Sequence, residues 1–144
     1  MRNILTAILM VWALPLLGWE EPARGTADRT GMMEAMRPHA EWQLGAPVEF
    51  IVRDLRRAGD VGFAGLTAQR PGGGKIDLSR TPMAQRGGYD PEMEDSPTIQ
   101  ALYRKSGNTW VAVHWALGAT DVWYAAPEVF CHDYRAVLPE ICDE

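Results

Sequence analysis

His114, Asp121 and Tyr124 are the residues of this chain whose types and spacing could do chemistry, with Trp110, Trp115 and Trp123 close by in sequence. A carboxylate beside an imidazole orients the ring and raises its pKa, which makes a general base that works near neutral pH. If the strand carrying His114 curves, its concave face presents the imidazole in an aromatic-walled pocket, and the exit loop returns Asp121 towards it. Proton transfer on a small apolar substrate is the reaction such a pair supports, so a small lyase or isomerase is one reading. The plainer one is structural: a single strand histidine satisfied in place, and an aspartate that stabilises a turn. The same choice holds for Trp110, Trp115, Trp123 and Tyr124. They either line a ligand-binding surface, where tryptophan is enriched, or fill the core.

Other candidate constellations fall short of a site. Gly72-Gly73-Gly74-Lys75 suggests a phosphate loop, but Gln69 stands where the first glycine is needed and Ile76 replaces the Ser/Thr. Asp90, Glu92, Glu94 and Asp95 are acidic without calcium-loop spacing, which leaves a solvated acidic loop. His39, His114 and His132, with Glu128 or Asp133, show no ligand spacing, so neither a metal nor a cofactor is expected. Arg53, Arg56 and Arg57 could grip a carboxylate, but a strand end facing Asp54 and Asp60 is the simpler account.

The elements that position these residues follow from hydrophobic periodicity. A helix is expected over residues 26–45, capped by Thr30, with Met33, Met36, Ala40 and Leu44 on one face and Gly45 as its stop. Pro38 inside it predicts a kink or restart. Val48, Phe50 and Val52 alternate with polar neighbours in a half-buried strand, Ala58-Gly59-Asp60 turns the chain, and Val61 to Gln69 returns. Gly62 and Gly65 predict curvature or a bulge in that return strand. Residues 70–97 are rich in Pro, Gly and charge and read as one long loop, either functional or mobile. Ile99, Ala101 and Tyr103 share one face of the third strand, and Ser106-Gly107-Asn108 turns into the fourth. In strict alternation Val111, Val113, Trp115 and Leu117 line one face of that strand, and Trp110, Ala112, His114 and Ala116 the other. With both faces apolar it is expected at the centre of the sheet. A short helix from Pro127 to Pro139 closes the chain, docked by Val129, Tyr134 and Leu138.

The two ends point to export. Arg2 precedes an uncharged apolar run from Ile4 to Gly18, too short to span a bilayer as a helix and ended by Glu20 and Glu21. Residues 1–25 are therefore read as a signal peptide, cut after Gly18 or after Ala23-Arg24-Gly25, with one domain over 26–144. Cys131 and Cys142, the two cysteines of the chain, are expected as a disulfide, since Pro139 lets the backbone turn between them. Removal of residues 1–25 takes two side chains of each sign and leaves the net charge at −5. Such a surface repels phosphate backbones, so nucleic acid is not an expected partner. The location is periplasmic or secreted, with no stable membrane span after processing.

One helix followed by four antiparallel strands in meander order implies an α+β fold, with the helix laid on a curved sheet and a short C-terminal helix stapled by the disulfide. The element order over residues 28 to 120 resembles the cystatin-like superfold, which includes nuclear-transport-factor-two-like domains. RPGGGKID at 70–77 and GATDVW at 118–123 resemble small exported bacterial proteins of unassigned function, a likeness that implies no activity. The leading reading is then a non-enzymatic binding module of the cell envelope. Its site would be the concave sheet face partly covered by 70–97, and its partner an unknown small molecule or envelope protein.

Overall fold

The computed structural model describes residues 18–144. The apolar run read as a leader lies outside them, apart from Gly18.

Helix α1 spans Ala27–Leu44 and buries Met32, Met36, Ala40 and Leu44 along one stripe. Its cap is Thr26, not Thr30: the Thr26 hydroxyl accepts from the amide of Arg29 and donates to the Ala23 carbonyl at 2.7 Å. Met32, not Met33, is the first buried methionine of the stripe. The helix continues through Pro38. At its far end Gly45 takes a φ of +82° and returns its amide to Glu41, the left-handed stop that glycine adopts without strain.

Four strands follow, β1 (Glu49–Ala58), β2 (Val61–Gln69), β3 (Glu94–Ser106) and β4 (Thr109–Ala119), all antiparallel and in the order β1-β2-β3-β4. The α+β architecture expected from the pattern is the one observed, with β4 as the exception. It is an edge strand, not a central one, and Val111 and Val113 are exposed.

Each edge strand carries a bulge. In β1 the register shifts between Val52 and Asp54, opposite Leu66 and Gly65, so the irregularity belongs to β1 and not to the glycine-bearing β2. In β4 it falls at Val113, because Leu102 pairs with His114 while Tyr103 pairs with Ala112. An inserted residue reverses which parity faces which side. Trp110 and Ala112 before the bulge, and Trp115 and Leu117 after it, therefore all join the core under α1. Strict alternation fails here for that reason. Bulged, twisted edges also resist pairing with another chain.

Both sheet faces are covered. On the α1 side the core gathers the helix stripe with Leu55, Leu66, Ile99, Tyr103 and Trp110. Tyr103 is wholly enclosed, and burial pushes its phenol far above the usual range, so it acts as a neutral ring. The opposite face is closed by the C-terminal segment: α3 (Pro127–Tyr134), a 3-10 turn (Arg135–Val137) and the single-turn α4 (Pro139–Cys142). Phe130, Tyr134, Val137 and Leu138 pack there on Phe63 and Leu102. Phe130 docks in place of the expected Val129, which is exposed. Cys131 and Cys142 form the expected disulfide, with Cα atoms 5.6 Å apart.

The 70–97 segment is not one continuous loop. It holds a 3-10 turn (Leu78–Arg80) and the one-turn α2 (Pro82–Gln85), and β3 begins at Glu94 inside its expected span. Ile76, Leu78 and Met83 join the α1-side core. Arg70 donates to the carbonyls of Leu44, Gly45 and Pro47, and Arg86 to that of Trp42. The segment thus satisfies the open carbonyls at the helix C-terminus, where positive charge is favoured.

Gly31 marks the closest approach of α1 to the sheet. A Cβ there would stand 2.7 Å from Cδ1 of Trp110, a buried ring held by its own hydrogen bond to Asp28. Gly31→Ala is expected to destabilise the protein by about 1–2 kcal/mol. Overpacking of about 1–3 kcal/mol outweighs the gain of up to ~1 kcal/mol in helix propensity. Thermal denaturation of the variant checks the sign.

Candidate functional site

The residues expected to form one pocket are divided between the two faces of the sheet. Trp110 is buried under α1 and donates its indole N–H to Asp28 at 3.0 Å. Trp115, on the same side, stacks against His39 with ring centroids 5.1 Å apart. His114 is on the opposite side, edge-on to Phe130 at 5.3 Å and Tyr134 at 6.2 Å. Trp123 packs there too, against Phe130 and Tyr124, and Tyr124 against Phe63. Burial pushes the Tyr124 phenol up.

The rings of α3 stand edge-on to His114, whose side chain stays exposed and is not enclosed in an aromatic-walled pocket. Asp121 sits exposed in the loop after β4. Among the described residues the only histidine–carboxylate pair is His132 with Asp133, at 3.9 Å. His114 and Asp121 are therefore not joined as an acid/base pair. Nor do three or more His, Cys, Asp or Glu side chains stand together as metal ligands among the described residues.

Two polar centres, the first of which the sequence did not mark, tie the elements together. Asp28, in the first turn of α1, accepts from Lys105 Nζ at 2.8 Å and from the Trp110 indole, and pairs with Arg57 at 3.2 Å. Hydrogen bonds from Lys105 and then Trp110 hold its carboxyl below the usual range. Burial opposes them, and the charges of Arg57 and Lys105 add to them. One carboxylate so ties α1 to β1, β3 and β4.

The second centre is Arg56. Burial works against its charge, but hydrogen bonds to Asp54 and Glu140 outweigh that and raise its pKa. Its guanidinium also donates to the Val137 carbonyl at 3.0 Å, which fastens the C-terminal segment to β1. It lies between two rings, Trp19 at 5.0 Å and Phe63 at 5.2 Å, in cation–π geometry. Of the partners expected for the arginine cluster, Asp54 is met by Arg56, whereas Arg57 pairs with Glu20 and Asp28 and Arg53 donates to the Thr67 hydroxyl.

Residues 19–23, expected ahead of the domain, are docked on it. Glu20 and Arg57 exchange both backbone hydrogen bonds at 2.8 Å, which adds a one-residue bridge to the β1 edge. Arg57 also pairs with the Glu20 carboxylate at 2.9 Å. Arg29 donates to the Pro22 carbonyl and to Glu21.

Next to this strap a cleft of about 670 Å³ opens between Trp19, the β1–β2 turn at Ala58 and Gly59, and the disulfide-closed segment at Arg135, Pro139 and Asp143. Its wall is apolar around Trp19, Ala58 and Pro139. Its rim carries the Arg135–Asp143 ion pair, 2.6 Å apart. Trp19 is 42% exposed, with its ring against the Arg56 guanidinium. A second hollow of about 440 Å³, lined by Glu20 and Arg57, shares the Trp19 edge. The sequence signal for this site was an exposed tryptophan directly after an apolar run, and the run masked it.

Among the described residues no helix is long and apolar enough to cross a membrane. The chain matches no protein-family model, no curated protein and no solved structure.

Proposed function

We propose that this chain is an exported binding module of the cell envelope, without catalysis, and that its site is the cleft beside Trp19 and not the sheet face. The observation that carries this is a half-exposed indole set against the Arg56 guanidinium at a concave, largely apolar surface. An aromatic side chain loses little conformational entropy on contact, which is why such residues dominate binding energy. The Arg135–Asp143 pair at the rim supplies the few polar groups that orient a ligand. The ligand class is amphipathic: a small molecule, or a segment of an envelope protein, with an apolar body against Trp19 and a polar end at the rim. The disulfide supports an oxidising compartment, periplasmic or extracellular. Acid/base catalysis by His114 and Asp121 gains no support from an arrangement that leaves the two unpaired.

Titration with the amphipathic dye 1-anilinonaphthalene-8-sulfonate tests the site. Trp19→Ala is expected to bind it about tenfold more weakly than the wild type, with unchanged circular dichroism, as for truncation of a binding anchor. Equal binding by the two proteins would remove the cleft from consideration.

A further inference from the structure

We infer that the chain is cut between Gly18 and Trp19, and that the cut places a new α-ammonium at the cleft. This rests on the export reading above. It decides between two cleavage positions that the sequence leaves open.

The evidence is how residues 19–26 are held. Cutting after Gly25 would remove the Glu20 bridge to β1 and the Glu20 carboxylate on Arg57. It would remove both partners of Arg29, and the Trp19 ring beside Arg56. It would also remove the Ala23 carbonyl, which accepts from both the amide and the hydroxyl of the α1 cap, Thr26. Pro22 is buried in this strap. Trp19 to Ala23, anchored in these ways, belong to the mature fold. Of the two positions, only a cut at the Gly18–Trp19 bond keeps those contacts in the mature chain. A Cβ built on Gly18 meets nothing within 4 Å.

The step is a hydrolysis by a membrane-bound leader peptidase. Water adds across the amide, Gly18 leaves as a carboxylate, and the Trp19 nitrogen takes a proton. Gly18, Trp19, Arg135 and Asp143 line the same cleft. The freed ammonium therefore joins a rim where Arg135 already occupies the Asp143 carboxylate. The mature cleft gains one positive charge, and its ligand class narrows to amphipathic molecules with an anionic end.

The test is the intact mass of full-length protein expressed in a Gram-negative host and recovered from the periplasm. A chain beginning at Trp19 is the expected result. A chain beginning at Thr26 overturns the processing site but leaves export standing, whereas an uncut chain retained with the cells overturns both. Gly18→Arg should abolish the cut. Since the folded protein has room for a side chain there, failure to fold cannot account for that loss. Ala23→Lys should leave Trp19 as the first residue. If Ala23→Lys instead blocks processing and Gly18→Arg does not, the assignment is wrong.

Discussion

Replacing Cys131 and Cys142 together by alanine is expected to cost about 3 kcal/mol of folding free energy, the chain-entropy value for a short closed loop. The two cysteines are 11 residues apart. Between them lie Tyr134, Val137 and Leu138, which seal the second face of the sheet. Without the cross-link the unfolded chain regains its freedom, and burial, Arg56 and the Arg104–Asp133 ion pair then hold this segment in place. Ala136, Pro139 and Asp143 also line the cleft beside Trp19, so dye binding should weaken in parallel. Urea unfolding of the double variant measures the loss, and wild type under a reducing agent should reproduce it. A loss below about 1 kcal/mol would show that packing alone secures the C-terminal segment, well short of the loop-closure value.

The second large effect is expected at Asp28. Asp28→Ala removes a carboxylate that is only about one-fifth exposed and leaves Lys105, Arg57 and the Trp110 N–H aimed at an empty position. The expected loss is about 2–3 kcal/mol, since unpaired and partly desolvated donors remain behind. The pH dependence follows from the direction of the shift. The folded carboxyl titrates below the ordinary value of 3.8. Its stabilisation is therefore complete above the unfolded pKa and disappears as pH falls through the folded one. Asp28→Asn should be clearly weaker than wild type at neutral pH and approach it only as pH falls below the ordinary carboxylate range. A stability difference that stays constant across that range would rule out the ionic account.

Much of the fold was legible because local signals agreed with one another. Gly45 and Pro47 ended the helix, Ala58-Gly59-Asp60 and Ser106-Gly107-Asn108 turned the hairpins, and Ile99, Ala101 and Tyr103 marked a face that the structure keeps. The site was not legible, for two physical reasons. A bulge has no local signature, so Val113 read as one more residue in an alternating strand. The faces of Trp115 and Leu117 were therefore assigned by a parity that the inserted residue reverses. The second reason is that the strap at residues 19–23 follows directly on an apolar run. Its roles in pairing with Arg57 and presenting Trp19 depend on partners more than thirty residues away.

The sequence by itself determined the α+β class, the order of helix and strands, and the disulfide, because capping, turn chemistry and hydrophobic period act over a few residues. Only the tertiary structure decided which sheet face each aromatic joins, that α3 sets its rings edge-on to His114, and that Asp28 and Arg56 knit distant elements together. Those outcomes rest on the register between strands and on charge pairs distant in sequence. Their energies exist only once the chain has folded.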